Sequence, residues 1–251
     1  MKIAYIGIDL FYPAPLWLQN AGAEIAEVFT CKTDNVTEFN TKIIAFAKEN
    51  KIPYTLSRIT AEDIKRLRES GVHAAVCAGY YYKIPVTEDF PIVNIHPSLL
   101  PLGRGSWPMP HAILSGAKKS GVTIHKIAEG FDTGDILMQE SFNLAKDENL
   151  DTFMEKALGL LPDMLKRLVK NFDSLWRGAK KQGEGEYIAA QTEKDWTVTA
   201  DMAADTADGI LRAFYGYECI YAGKNGNVMI HRGRARKGEP LGQKLPLTDG
   251  Y

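Results

Sequence analysis

Short apolar runs recur through the first hundred residues and alternate with amphipathic segments. The runs cover residues 2–8, 24–30, 52–56, 72–78 and 91–95. Their length and their β-branched side chains are typical of strands buried in a parallel sheet. Because the segments between them have helical periodicity, the pattern predicts an α/β fold. We expect a doubly wound, mostly parallel, Rossmann-like sheet with right-handed crossovers.

The intervening segments predict several helices. A short helix should cover residues 16–21, and residues 38–50 place Phe39, Ile43, Phe46 and Ala47 on one helical face. Thr60 and Asp63 fit a capping box, so another helix should begin there. A longer amphipathic segment, 151–172, contains Pro162, where we expect a kink or a break.

The composition changes near residue 180. Residues 180–186 are polar, rich in glycine and without periodicity, which predicts a linker. We therefore expect a main domain over 1–180, a small, truncated C-terminal subdomain over 187–237 and a disordered tail over 238–251. The basic cluster at 231–237 is interpreted as a solvated segment.

Composition and charge narrow the class of protein. Of the 251 residues, 45% are hydrophobic and 24% are charged, which is ordinary for a soluble globular protein. The three cysteines are far apart and lack a C-x-x-C pair, so we interpret them as packing thiols of a cytoplasmic protein. No apolar run approaches a membrane span, and no membrane partner is expected. The net charge of −1 gives no overall attraction to nucleic acid.

Three polar residues stand out between positions 93 and 135. Asn94 and His96 point to the same side of a predicted buried strand, and Asp132 follows in a glycine-containing loop. An imidazole can move a proton near neutral pH, a carboxylate can orient it, and an amide N–H can stabilise an oxyanion. Each residue alone has a structural alternative, a turn cap or a core histidine. Together they favour attack by an amine on an acyl donor, because no Ser or Cys nucleophile is placed nearby.

The same segment resembles the folate-dependent formyltransferases, which include glycinamide ribonucleotide, methionyl-tRNA and amino-sugar formyltransferases. The resemblance depends on N-x-H-P-S-L-L-P (94–101), G-V-T-I-H (121–125) and D-T-G-D (132–135), in this order. It implies that Asn94, His96 and Asp132 are catalytic and that 10-formyltetrahydrofolate is the donor. No metal is expected.

The resemblance also implies binding residues. Two loops, residues 80–85 and 128–134, should enclose the donor, so the implied contacts are Tyr82, Lys83, Ile84, Ala128, Glu129 and Gly130. The backbone near Ile84 carries most of this contact in the family. Three further residues are candidate substrate contacts: Asp9 after the first strand, Arg104 and His111.

The acceptor is the least determined part of the prediction. Methionyl-tRNA formyltransferases carry a basic insertion after the second strand, whereas residues 29–40 here contain one lysine and no arginine. The string F-T-x-x-T-D-N resembles UDP-4-amino-4-deoxy-L-arabinose formyltransferases instead. We therefore expect a small amine acceptor, best fitted by a nucleotide-linked amino sugar. Alternatives are methionyl-tRNA formylation, hydrolysis of formyltetrahydrofolate and a non-catalytic folate-binding module. A homodimer is a possible oligomeric state.

Overall fold

The fold is organised around a seven-stranded sheet. A computed structural model describes residues 1–35, 38–217, 219–224, 226–238 and 245–251. The strands are β1 (Lys2–Gly7), β2 (Glu24–Phe29), β3 (Tyr54–Thr55), β4 (Ala74–Ala78), β5 (Ile92–His96), β7 (Lys119–Lys126) and β8 (Ile136–Asn143), in the order β3-β2-β1-β4-β5-β7-β8. Strands β1 to β5 pair in parallel, and β7 runs antiparallel to β5. The predicted α/β fold with a mostly parallel sheet is confirmed.

The helices follow the predicted alternation. They are α1 (Ala14–Asn20), α2 (Thr41–Glu49), α3 (Ala61–Glu69), α4 (Pro108–Leu114), α5 (Leu150–Arg177) and α6 (Ala204–Ala213). The capping box at Thr60 and Asp63 is present at the start of α3. Phe39 was expected on the buried face of α2, but it precedes the helix and is 45% exposed. The reason is that α2 begins only after Asn40.

Helix α5 breaks at a different residue from the predicted one. Pro162 lies inside continuous helical backbone, and the only non-helical residue of α5 is Asn171 (φ −128°, ψ 23°). The Asn171 side chain donates to the carbonyl of Arg167 at 3.1 Å, a contact that competes with the backbone ladder. The predicted apolar stripe is buried along its whole length: Phe153, Ala157, Leu161, Met164, Leu165, Leu168 and Phe172.

One face of the sheet is covered by a buried cluster that includes alternate residues of β1 and β4. Ala4, Ile6, Ala75 and Cys77 belong to one buried cluster. Helix α3 contributes to the same cluster, together with β2 and the segments that lead into β4 and β5: Phe29, Ile59, Ile64, Leu67, Val72, Ile84, Phe90 and Ile92. Strands β4 and β5 both contribute to this buried cluster, β4 through Ala75 and Cys77 and β5 through Ile92.

The chain divides into two compact units. The first contains Met1–Arg104, Gly121–Ser141 and Ala157–Glu186, and the second contains Gly105–Ser120, Phe142–Lys156 and Tyr187–Tyr251. The division predicted from sequence, 1–180 and 187–237, stays a prediction. Two short strands, β6 (Arg104–Gly105) and β9 (Tyr187–Ile188), form a small ladder of their own.

The second unit contains a small sheet of β10 (Thr197–Thr199), β11 (Cys219–Gly223) and β12 (Gly226–Ile230). Part of the predicted disordered tail, 239–244, lies outside the described residues. Residues 245–251 make hydrogen bonds within the second unit: Arg236 and Tyr251 exchange two backbone bonds, and Asp249 accepts from the Ala204 N–H at the start of α6. The expectation of a disordered tail over 238–251 stays a prediction.

Two general properties of the chain concern membranes and cysteines. Among the described residues, every helix is too short or too polar to cross a bilayer. Cys31, Cys77 and Cys219 are all buried, and each is a free thiol. Burial raises the pKa of the Cys31 and Cys219 thiols to about 11, so both are held in the protonated form.

Candidate active site

Asn94 and His96 emerge from the same side of β5. Strand β7 pairs with β5 in antiparallel register and places His125 opposite Asn94 and Thr123 opposite His96. His96 is 5% exposed and His125 is 1% exposed. Period-two alternation and this register therefore place one amide and two imidazoles on a common patch at the carboxyl end of the parallel strands.

Asp132 reaches this patch from the loop between β7 and β8. Its Oδ1 atom lies 3.6 Å from His96 Nδ1, 3.4 Å from His125 Nε2 and 3.4 Å from Asn94 Nδ2. The backbone of Asp132 is left-handed, with φ of +56°, a conformation that Asp and Asn tolerate better than most residues. The three residues predicted to be catalytic are thus brought together, although their roles stay predictions.

The backbone fixes which nitrogen of each imidazole carries a proton. His96 Nε2 lies 2.7 Å from the Gly103 carbonyl, and His125 Nδ1 lies 2.7 Å from the Lys126 carbonyl. A carbonyl only accepts, so these nitrogens are the donors. In neutral rings, His96 Nδ1 and His125 Nε2 then carry lone pairs, and both face Asp132 Oδ1. Three proton acceptors converge on one point, and Asn94 Nδ2 donates to His125 Nε2 at 3.2 Å.

Burial sets the charge state of this cluster. Desolvation lowers the pKa of His96 below its ordinary value, although the Asp132 charge and the Gly103 carbonyl act in the opposite direction. His96 is therefore neutral near pH 7 and can accept a proton. When the cluster takes up a proton, the Asp132 carboxylate stabilises the positive charge.

His125 was missing from the residues predicted to be catalytic. It closes the run G-V-T-I-H, which was recognised only as a motif that marks the family. Period-two alternation along β7 predicts that His125 and Thr123 share one face of the strand. The position of His125 beside Asn94 depends on the antiparallel register of β7 and β5, which is a tertiary property. Sequence alone therefore offered a weak signal for this residue.

The two loops expected to enclose the donor lie within hydrogen-bond reach of each other. Lys83 Nζ lies 3.1 Å from Glu129 Oε2, an exposed ion pair that joins the two loops. Ile84 is 3% exposed, whereas Tyr82 is 40% exposed and packs edge-on against Tyr80. Ala128 is half-buried and Gly130 is exposed. The binding roles of these six residues stay predictions.

The three candidate substrate contacts have different surroundings. Both Asp9 carboxylate oxygens accept bonds from the first turn of α2: from Thr41 Oγ1 at 3.3 Å, Lys42 N at 2.9 Å and Ile43 N at 2.9 Å. Asp9 therefore caps α2, because a helix N-terminus attracts a carboxylate. His111 is half-buried on α4, in the second unit.

Arg104 is engaged within the first unit. Its Nε and Nη2 atoms donate to Gln182 Oε1 at 3.1 and 2.8 Å, and Nη2 also donates to the Gly183 carbonyl at 2.9 Å. The segment 180–186, expected to be a linker, is thus bonded to the sheet domain. Lys180 also exchanges two backbone bonds with Ile136.

Comparison with known proteins identifies the family. Residues 18–169 match the family model described as Formyl transferase. The chain belongs to the formyl transferase family. A methionyl-tRNA formyltransferase of Ehrlichia ruminantium (strain Gardel) is 33% identical over 167 residues, which is 65% of this chain and 54% of that relative. The formyl transferase resemblance predicted from the motifs is confirmed.

Two further proteins extend the comparison. A methionyl-tRNA formyltransferase of Anaplasma marginale (strain St. Maries) is 30% identical over 226 residues, 86% of this chain and 74% of that protein. A sugar N-formyltransferase from a Shewanella species has the same fold, with a TM-score of 0.73, 18% identity and coverage of 95% and 99% of the two chains. The chain spans about half the length of the first relative.

Across the part of the chain that the structure describes, no group of three or more His, Cys, Asp and Glu side chains could hold a metal ion. The expectation that catalysis needs no metal stays a prediction.

Proposed function

We propose that this protein transfers a formyl group from 10-formyltetrahydrofolate to the primary amine of a small substrate, best fitted by a nucleotide-linked amino sugar. The observation that carries the proposal is the convergence of Asn94, His96, His125 and Asp132 at one strand edge. This cluster combines an N–H donor with a proton acceptor. Binding alone does not require a base and an oxyanion donor together, so the geometry favours catalysis over a folate-binding module.

The donor fits the chemistry of these side chains. 10-Formyltetrahydrofolate supplies the formyl carbon when bound, and its carbonyl oxygen needs a hydrogen-bond donor as negative charge develops on it. Asn94 Nδ2 is the side-chain donor at the site. Its contact with Asp132 Oδ1 is long, at 3.4 Å, so little is lost when this N–H turns toward the formyl oxygen.

The proton acceptor serves the amine. A neutral primary amine attacks the formyl carbon, one C–N bond forms, and the C–N bond to the donor breaks. One proton must therefore pass from the acceptor nitrogen to the leaving nitrogen. That proton is held, after it leaves the acceptor nitrogen and before it reaches the donor nitrogen, by the lone pair of His96 Nδ1 or His125 Nε2. Both nitrogens lie beside the Asp132 carboxylate. Asp132 balances the positive charge on the imidazole, because its Oδ1 atom lies within 3.6 Å of both rings.

The distribution of positive charge supports a small acceptor. RNA binding requires several cations that neutralise phosphates. The segment after β2 has one cationic residue, Lys32, between residues 30 and 40. In the basic cluster at 231–237, Arg234 pairs with Asp208 at 2.5 Å, and Lys237 lies within 3.4 Å of both Asp205 and Asp249. These acids reduce the charge available to an RNA backbone, and the overall match to a sugar N-formyltransferase agrees with a sugar acceptor.

Methionyl-tRNA formylation is the second candidate. The sequence relatives described above carry this name, and one of them aligns over 86% of this chain. To bind a tRNA acceptor, the protein would need cationic side chains for the phosphates other than those that are paired with acids in the described residues.

A comparison of acceptors tests the proposal. The protein is incubated with 10-formyltetrahydrofolate and either UDP-4-amino-4-deoxy-L-arabinose or methionyl-tRNA, and the formylated product is detected by mass spectrometry at two salt concentrations. We expect the formamide of the amino sugar, with a rate that changes little with salt. Formylated methionyl-tRNA as the main product, with a rate that falls steeply with salt, would contradict the acceptor assignment.

A further inference from the structure

The side chain of Gln182 connects two parts of the first unit that are far apart in sequence. Its Nε2 donates to the carbonyls of Asp132 at 2.9 Å and Gly134 at 2.6 Å. Its Oε1 accepts from Nε and Nη2 of Arg104 at 3.1 and 2.8 Å. Both N–H groups and both lone pairs of the amide are therefore used. Turning the amide over would place oxygen against two carbonyls and nitrogen against a guanidinium, so the orientation is determined by its partners.

The bonds from Gln182 hold the loop that carries the candidate catalytic carboxylate. They hold the peptide that follows Asp132 and the peptide that follows Gly134, and the Asp132 carbonyl is attached to the same Cα as the reactive side chain. Asp132 has a left-handed backbone with φ of +56°, which a non-glycine residue keeps only when its surroundings impose it. Gly134 tightens the same turn, because a Cβ at this position would lie 1.9 Å from the Lys126 carbonyl.

Arg104 and residues 180–183 hold Gln182 in place. Lys180 and Ile136 exchange backbone bonds of 2.9 and 2.8 Å, which runs this segment alongside the end of the Asp132 loop. Arg104 Nη2 adds a bond of 2.9 Å to the Gly183 carbonyl. The Arg104 guanidinium therefore contacts Gln182 and Gly183, and its expected contact with a substrate stays a prediction.

We propose that Gln182 and Arg104 are positioning residues for Asp132: Arg104 orients the Gln182 amide, and the amide holds the Asp132 loop so that the carboxylate faces His96 and His125. This inference rests on the proposed function, in which Asp132 is the carboxylate of the catalytic cluster. Neither Gln182 nor Arg104 is required to touch the substrate.

Kinetics test the proposal through Gln182→Ala, Arg104→Ala and the double variant. Displacing a catalytic group by up to 1 Å costs up to about 100-fold in rate. We expect Gln182→Ala to lower kcat by about 10- to 100-fold with KM for the amine nearly unchanged. Because Arg104 acts through Gln182, the double variant should be no slower than Gln182→Ala. Gln191→Ala is the matched control, since Gln191 also donates to a backbone carbonyl, that of Trp107.

A second readout is independent of turnover. The His96 imidazole is followed by NMR titration of histidine-labelled protein without substrate, with His96 assigned through His96→Gln. The groups that face this ring are Asp132, His125 and the Gly103 carbonyl. The Asp132 charge raises the pKa of His96, so a displaced carboxylate in Gln182→Ala should lower it further. Gln191→Ala should leave the titration unchanged.

The two readouts separate the two proposals. If wild-type protein formylates no amine, the proposed function fails, and the NMR titration still decides the positioning of Asp132. An unchanged His96 titration in Gln182→Ala overturns the positioning role. A raised KM in Arg104→Ala, with losses that multiply in the double variant, overturns it as well, because Arg104 would then bind the substrate directly.

Discussion

Replacing Asp132 by Asn removes the charge of the cluster and leaves its shape unchanged. Asn has the same size as Asp and tolerates the left-handed backbone at φ +56°, so we expect the fold to persist. Asp132→Ala would add backbone strain of about 1–2 kcal/mol, so a loss of activity could come from the strain or from the missing carboxylate. The Asn variant therefore isolates the carboxylate.

The magnitude follows from the distance to His96. Asp132 Oδ1 lies 3.6 Å from His96 Nδ1, and the two side chains are 12% and 6% exposed. Two unit charges about 4 Å apart interact by about 4 kcal/mol at an effective dielectric constant of about 20. If this attraction stabilises the protonated cluster in the rate-limiting step, its loss slows turnover by about 1000-fold. This value lies within the range of about 100- to 10,000-fold for proton-transfer catalysis.

The assay is formyl transfer from 10-formyltetrahydrofolate to the amine, followed by release of tetrahydrofolate, with thermal unfolding measured in parallel. Asp135→Asn is the control, because Asp135 lies on the same loop and pairs with Lys126 at 3.4 Å, outside the cluster. We expect the control to keep most of its activity. Loss of activity in Asp135→Asn together with wild-type turnover in Asp132→Asn would refute the assignment of the carboxylate.

Two further predictions concern the cluster, and two concern ion pairs elsewhere in the chain. Asn94→Ala should lower kcat by about 100- to 1000-fold, the usual effect of losing one oxyanion donor, and an unchanged kcat would remove Asn94 from catalysis. Because the cluster accepts a proton and burial lowers the pKa of His96, kcat should fall as pH drops, with a midpoint below 6.5; a midpoint above that value in a pH–rate profile would contradict this. Arg66→Ala should lower the free energy of unfolding in urea by about 1–3 kcal/mol, because the Glu27 side chain is 9% exposed and loses its cation. Arg167→Ala, which breaks a half-exposed pair, should change that free energy by only about 0–1 kcal/mol, and equal losses would contradict the comparison.

Most of the fold could be predicted because it depends on local periodicity. The apolar runs correspond to the strands, and the stripe in α5 is buried. The break predicted at Pro162 was wrong because a proline inside a helix can keep helical dihedrals when tertiary packing supports them. The Asn171 side chain, in contrast, competes directly for the backbone hydrogen bonds of the helix. The hydrogen bonds of residues 245–251 join partners well apart in sequence, such as Asp249 and Ala204, so local composition does not reveal them.

The candidate site was predicted in part for the same reason. Asn94 and His96 share a face by simple alternation, so their proximity is a local property of β5. His125 requires the antiparallel register of β7, and Gln182 lies in a segment whose polar, glycine-rich composition is also typical of linkers. Contacts that depend on which strands and loops become neighbours leave little trace in one sequence.

The most direct measurement is the fate of the donor with and without an amine. The protein is mixed with 10-formyltetrahydrofolate alone, and then with a nucleotide-linked amino sugar, and both tetrahydrofolate and the formylated product are quantified. We predict that the donor persists in the first reaction and that, in the second, one formamide forms for each tetrahydrofolate released. Equal loss of the donor in both reactions, with formate as the product, would show hydrolysis and contradict transfer to an amine.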